Sequence, residues 1–312
     1  MKRGTSGINA LFAVDKPYGL SSHDVVGRVR RILGERRVGH AGTLDPAASG
    51  VLVLGVGQAT RLMGMLTADR KSYLASIAFG KSTATDDAEG ETLFTGEVPA
   101  RVSTEDFARE TLASLVGEQL QIPPRFSAIS VDGKRAYAQA RKGEDVQLEP
   151  RKVHIYSADL LSVSTEEDVV WVCRLEVSKG TYIRSIARDL GQELDCGAHL
   201  AGLRRLSSGN IGLDATVSLE ELEEKAEAWE ELALDPVQAL DLPVLNLRPD
   251  ERIAAGQGRK LLVDGERLQG ADSGKVCLVA DGKLYGVWNN DAGLLSCDVN
   301  FPEGIAGVHE NA

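Results

Sequence analysis

Apolar positions along the chain recur with two different periods. Val25, Val26, Val29, Ile32 and Leu33 fall at helical spacing, with Ser21 or Ser22 ahead of them as an N-cap and Gly34 behind as a stop, so a helix is expected from the serines to about Leu33. Tyr73, Ala75, Ile77 and Phe79 instead alternate with smaller or polar residues, the period of a strand with one buried face. Leu11-Phe12-Ala13-Val14, the apolar run Val51–Val56 and Val169–Val177 read as further strands, the first halted by the turn Lys16-Pro17-Tyr18-Gly19. Ser103-Thr104-Glu105-Asp106 opens a helix carrying Phe107, Leu112, Leu115 and Val116. Thr181 or Tyr182 opens another through Ile186, Ala187 and Leu190, with Gly191 as its expected stop. Leu203-Arg204-Arg205-Leu206 reads as a strand with its arginines outward, and Glu220 to Glu231 as an acidic amphipathic helix with a solvated face. Residues 1–10 are polar and expected to fray.

The pattern lapses between Asp235-Pro236 and Leu242-Pro243, which reads as a linker. Beyond it, Val276–Ala280, the Asp281-Gly282 turn and Leu284–Trp288 predict a β-hairpin. Two domains are therefore expected, residues 1–240 and 241–312. Between Gln121 and Pro150, prolines, basic residues and the aromatics Phe126 and Tyr137 predict a projecting segment rather than core.

Composition adds exclusions. At 312 residues, 43% hydrophobic and 26% charged, the chain is an ordinary soluble-protein sequence. It has no apolar run of about 18 residues and no signal-peptide pattern, so a cytoplasmic protein away from membranes is expected. Cys173, Cys196, Cys277 and Cys297 lie far apart, without C-x-x-C spacing or neighbouring histidines, which fits reduced thiols and implies no metal. The net charge of −11 is unevenly spread: +7 over residues 1–81, −7 over 82–120, zero over 121–215 and −11 over 216–312. Arg28, Arg30, Arg31, Arg36 and Arg37 form one basic block; Arg125, Lys134, Arg135, Arg141, Lys142, Arg151 and Lys152 form another. Each reads either as a solvated face or as part of a phosphate track.

The candidate chemistry lies in Gly39-His40-Ala41-Gly42-Thr43-Leu44-Asp45-Pro46, a polar loop between the first helix and an apolar strand. Gly39 and Gly42 permit sharp turning, and Pro46 biases Asp45 away from the helical region. Pattern alone leaves two readings open, an aspartate that bonds only its own backbone in a turn and an aspartate presented for use. Gly55-Val56-Gly57 invites a dinucleotide site, but the third glycine and an acidic partner in register are missing.

Extended through Ala47-Ala48-Ser49-Gly50-Val51-Leu52, this loop resembles the catalytic motif of the bacterial TruB-type tRNA pseudouridine synthases, which isomerise uridine 55 in the T-loop of tRNA. Asp15-Lys16-Pro17-Tyr18-Gly19-Leu20-Ser21-Ser22 is similar to the family's N-terminal motif, and Lys71-Ser72-Tyr73 to the segment of its active-site tyrosine. Ile122-Pro123-Pro124 through Arg151 resembles its RNA-gripping insertion, about residues 121–152, and Ser178–Ser185 the motif with a second aromatic and an arginine. The resemblance runs from about Leu11 to about Ala239 and implies an α+β fold: a mixed, mainly antiparallel central sheet with flanking helices, followed by a small β-rich PUA-like domain. Three positions depart from the family pattern: Ala84 replaces an aspartate, Phe126 a tyrosine and Ser130 a lysine.

The resemblance implies specific roles. Asp45 is the catalytic carboxylate, held ionised by Arg184, with Asp87 steadying the arginine. Tyr73 and Tyr182 pack the extruded uracil, Tyr73 also serving in removal of the C5 proton, and Leu203 belongs to the substrate-binding set. His40 occupies space vacated by flipped bases, and Lys16 supports the loop backbone. Breaking C1′–N1 and joining C1′ to C5 involves no net oxidation, so no cofactor is expected, and the expected partner is the T-loop and T-stem of tRNA, bound by a monomer. Two other classes compete. Intact Asp45, Tyr73, Tyr182 and Arg184 argue against a non-catalytic tRNA-binding module, and the incomplete glycine fingerprint argues against a nucleotide-binding enzyme. Assistance in tRNA folding is compatible with catalysis.

Overall fold

The computed structural model describes residues 6–67, 70–127, 130–131, 134–135, 148–268 and 273–309, with residues 130–131 and 134–135 described in their backbone only. Strand β1 (Ala10–Lys16) leads to helix α1 (Ser22–Ile32), which starts where Ser21 and Asp24 form a reciprocal cap: the Ser21 hydroxyl accepts from the Asp24 N–H at 3.1 Å, and the Asp24 carboxylate accepts from the Ser21 N–H at 2.9 Å. Gly34, at φ +62°, turns the chain out of the helix. Next come β2 (Val38–His40), β3 (Ala48–Val56), β4 (Arg70–Phe79), the hairpin β5 (Lys81–Thr83) and β6 (Thr92–Thr95), α2 (Glu105–Ser114) and β7 (Gly117–Gln121). Two long strands, β8 (Arg151–Ser164) and β9 (Val170–Ser178), precede α3 (Ile183–Glu193) and β10 (Ala198–Ser208). After α4 (Leu219–Glu224) and α5 (Pro236–Leu240) come β11 (Val244–Asn246), α6 (Pro249–Gly256), β12 (Leu261–Leu262), β13 (Ser273–Ala280), β14 (Lys283–Asp291) and β15 (Leu294–Ala306).

The chain divides into two compact units. One takes in Met1–Pro46, Gly50–Ala68 and Ser208–Ala312, the other Ala47–Ser49 and Asp69–Ser207. In the first, β1 runs antiparallel to β3 from Ala10 opposite Val56 to Lys16 opposite Gly50, and β2 pairs with β3 through Gly39 opposite Gly55. A second sheet in this unit has the order β11-β13-β14-β15-β12 and turns between β13 and β14 at Asp281 and Gly282, both at positive φ, as a two-residue hairpin requires. Leu11, Ala13, Val51 and Val53 share one core with Cys277, Val287, Phe301 and Ile305. The β-rich C-terminal segment therefore packs into the same core as the N-terminal strands.

The second unit is built on five strands in the order β10-β4-β9-β8-β7, with Tyr73 opposite Leu175 and Lys71 opposite Val177. Helix α3 buries Ile183, Ile186, Ala187 and Leu190, and fully buried Trp171 donates its indole N–H to the Val102 carbonyl at 2.8 Å.

Several local expectations are corrected. Gly191 lies inside α3 and does not end it; a Cβ there would sit 2.0 Å from the Ala198 nitrogen, so this glycine permits close packing. The acidic stretch is broken, α4 ending at Glu224 and the following 3₁₀ segment kinking at Ala228. The segment expected as a linker contains α5, because Pro236 fits the first helical turn and the Asp235 carboxylate accepts from the Val237 N–H at 2.8 Å. Ile8, Asn9 and Ala10 are buried, not frayed, and Asn9 bonds Glu303 at 2.9 Å and the Gln58 N–H at 2.7 Å. Arg205, expected outward, is fully buried.

Candidate active site

In the first unit the loop that carries Asp45 is anchored on both sides of that residue. Ser21 takes the capping role at α1, which leaves Ser22 for another use: its buried hydroxyl accepts from the Leu44 N–H at 2.8 Å and donates to the Leu44 carbonyl at 2.9 Å. On the other side the Pro46 carbonyl accepts from the Gly19 N–H at 2.9 Å. Lys16, with no exposed surface, donates its ammonium to the carbonyls of Pro17 at 2.9 Å, Leu20 at 2.5 Å and Pro46 at 3.5 Å. A buried ammonium needs such acceptors, and three carbonyls from two loops tie those loops together. Asp45, half-buried, thus sits between two fixed backbone positions. His40 ends β2 opposite Leu54, and the next residue, Ala41, donates to the Val53 carbonyl at 2.9 Å.

This arrangement gives a direct prediction. Ser22→Ala removes both bonds and leaves the Leu44 N–H unsatisfied in a buried site, at a cost of about 1–3 kcal/mol. Thermal denaturation should register that loss, and turnover should fall further than stability alone accounts for; unchanged turnover would detach the anchor from catalysis.

In the second unit, Tyr73 lies on β4 and Leu203 on β10, neighbouring strands, while Tyr182 and Arg184 open α3. The buried Arg184 guanidinium donates to the Thr85 carbonyl at 3.1 Å and the Phe126 carbonyl at 3.1 Å, and lies 3.6 Å from the Asp87 carboxylate. Asp87, also buried, accepts from the Thr85 hydroxyl at 2.5 Å and the Glu89 N–H at 3.1 Å. Gln121 holds Tyr182 at the backbone from both sides, accepting from its N–H at 2.8 Å and donating to its carbonyl at 3.1 Å. The structure thus joins Arg184 with Asp87, and Tyr182 with the foot of the proline-rich segment. Sequence reasoning missed Ser22 as an anchor and Gln121 as a clamp: a spare serine after a capped one hints at the first, and nothing local marks the second.

The departures from the family pattern have limited visible consequences. Phe126 contributes its carbonyl to Arg184, an interaction independent of side-chain type. Beside Ala84, Asp86 adopts φ +61° and lies 3.4 Å from Arg188; burial pushes its carboxyl up from the ordinary range, against the pull of Arg188. The side chain of Ser130, together with Tyr137, Arg141 and Lys142, lies outside the described residues.

Lys71, two residues before Tyr73 on the same face of β4, is only 9% exposed. Burial, with Arg205 and Lys179 as like charges, pulls its ammonium down to about 8 from 10.5. A lysine lowered in this way takes up a proton on unfolding between about pH 8 and 10.5, so its charged form costs stability below pH 8, on the order of 3 kcal/mol, and the cost fades as pH rises toward 10.5. Lys71→Met should accordingly be more stable than the parent below pH 8, with the advantage vanishing near pH 10.5 in chemical denaturation across that range.

The G-x-G pair has a steric origin. A Cβ at Gly55 would lie 2.7 Å from the Ala59 carbonyl oxygen, and one at Gly57, where φ is +62°, would lie 2.2 Å from that of Ile8. Both glycines allow close chain packing at the end of β3. Among the described residues no three His, Cys, Asp or Glu side chains converge at metal-binding spacing, and no helix is long and apolar enough to cross a membrane.

The fold is that of pseudouridine synthases of the Cbf5 type. A solved Cbf5-Nop10-Gar1 complex matches over 94% of this chain and 85% of its own, with TM-score 0.68 and 24% identity, and an H/ACA RNP bound to a substrate RNA containing 2′-deoxyuridine matches over 94% and 84%, with TM-score 0.67 and 23% identity. Residues 30–183 match the TruB family pseudouridylate synthase N-terminal domain, and 184–245 the tRNA pseudouridylate synthase B C-terminal domain. The tRNA pseudouridine synthase B of Mycobacteroides abscessus is 46% identical over 279 residues, 87% of this chain and 92% of that protein, and that of Arthrobacter sp. is 46% identical over 80% and 84%. The chain belongs to the TruB family of pseudouridylate synthases, a family of isomerases.

Proposed function

We propose that the protein converts uridine 55 in the T-loop of tRNA to pseudouridine, acting as a cytoplasmic monomer with no cofactor or metal. The observation that carries this reading is the double anchoring of the Asp45 loop: a carboxylate held between fixed backbone points is preorganised for attack or proton abstraction, at no reorganisation cost when the substrate binds. Arg184 favours the ionised carboxylate, Asp87 steadies Arg184, and Tyr73 and Tyr182 stack the detached uracil, Tyr73 taking part in removal of the C5 proton. His40 fills space left by the flipped base, Leu203 lines the base site, and Lys16 holds the loop. Flipping a base out of a folded loop costs a few kcal/mol, which stacking and phosphate contacts offset. The exposed Arg28, Arg31, Arg36 and Arg37, together with the insertion at about 121–152, supply the phosphate track, and residues 241–312 act as a PUA-like RNA-binding module.

Chemical mapping of pseudouridine on an unmodified tRNA transcript tests this reading. Folded protein without added metal or nucleotide should modify one T-loop uridine. Modification elsewhere, none at all, or a reaction abolished by chelation would refute it.

A further inference from the structure

Lys71 is 91% buried, and among the described residues the charges that act on it are Arg205, on the neighbouring strand β10, and Lys179, two residues past its cross-strand partner Val177. No acidic side chain or carbonyl of the described residues bonds its ammonium. A buried cation set among like charges is a cost to the fold, whereas nearly all buried charges in proteins are paired. Lys16 shows the contrast: this lysine, more deeply buried still, has three carbonyl acceptors that tie two loops together. Lys71 shares a buried face of β4 with Tyr73, so a counter-charge, which no described residue supplies, would sit beside that tyrosine. The ligand chemistry that supplies a compact anion next to a stacked base is a nucleic-acid phosphate.

We propose that Lys71 is a phosphate-binding residue, which pairs with the backbone of the RNA strand that delivers its base to Tyr73 and acts within the positive field of Arg205 and Lys179. The assignment rests on the functional reading above and deepens it: specificity for an RNA strand, rather than a free nucleoside, is built into the strand that carries the tyrosine. The cation is held at a cost in the free protein and is neutralised only in the complex, so part of the binding energy comes from relief of repulsion.

The test uses full-length Lys71→Met and Lys71→Arg with an unmodified tRNA transcript, measuring melting temperature, affinity across a salt series and single-turnover conversion. Lys71→Met should melt no lower than the parent, bind at least tenfold more weakly at low salt, and lower the slope of log affinity against log salt by close to one. Lys71→Arg keeps the charge and should bind within about threefold of the parent. Unchanged affinity and rate in Lys71→Met would overturn the assignment. So would a lowered melting temperature in that variant, which would give Lys71 a structural role, or a Lys71→Arg variant that binds normally yet does not turn over, which would point to proton transfer. An inactive parent protein would sink the functional reading itself; an active parent with an indifferent Lys71→Met sinks only the phosphate assignment.

Discussion

Asp45→Asn should fold, bind tRNA within about tenfold of the parent, roughly 1.4 kcal/mol, and show no measurable turnover. Asparagine has nearly the size and shape of aspartate, and the bonds from Ser22 to Leu44 and from Gly19 and Lys16 to Pro46 hold the loop through its backbone. Affinity should come mainly from phosphates and base stacking, so it should survive the change. The reaction, by contrast, needs a negative oxygen that an amide cannot provide, and a loss of at least about a thousandfold, roughly 4 kcal/mol, is expected. Single-turnover conversion beside tRNA affinity checks both halves. Residual turnover would remove Asp45 from the nucleophile role, and a matching collapse of affinity would make the loop a binding element.

The second large effect is expected at Arg184, where charge is preserved but shape is not. Its guanidinium reaches two carbonyls, of Thr85 and Phe126, and stands near the Asp87 carboxylate in a buried site. Lysine has a single ammonium on a flexible stem and cannot span this fork, so Arg184→Lys deprives at least one of the two carbonyls of its charged donor and loosens Asp87. A cost on the order of 2–3 kcal/mol should lower the melting temperature by about 5 °C. Turnover at a temperature where the variant is fully folded should fall by at least about a hundredfold. Equal activity under those conditions would show that any cation suffices at this position.

The strands and the first helix were legible because their signals are local: alternation from Tyr73 to Phe79, a serine cap, a glycine stop, and an Asp-Gly hairpin turn. The misreadings arise where long-range packing overrides local rules. Gly191 looks like a stop, yet it lets Ala198 approach, and Arg205, which reads as an outward charge on a strand, is fully buried. The break at Asp235–Pro243 is real in composition, but Val237 still enters the core shared by the N-terminal strands and the C-terminal sheet. The candidate residues Asp45, Tyr73, Tyr182 and Arg184 came from motif resemblance, not from periodicity or spacing. The backbone contacts made by Ser22 and Gln121 span 22 and 61 residues; a second serine beside the capping one hints at the first, and nothing local marks the second.

Joining C1′ to C5 necessarily expels the hydrogen carried on C5, so the central claim reduces to one measurement: tritium released from a tRNA transcript labelled at C5 of its uridines. The protein should release about one equivalent per tRNA, and none when uridine 55 alone is replaced by cytidine. No release from the parent transcript, or undiminished release from the cytidine-55 transcript, would contradict the account.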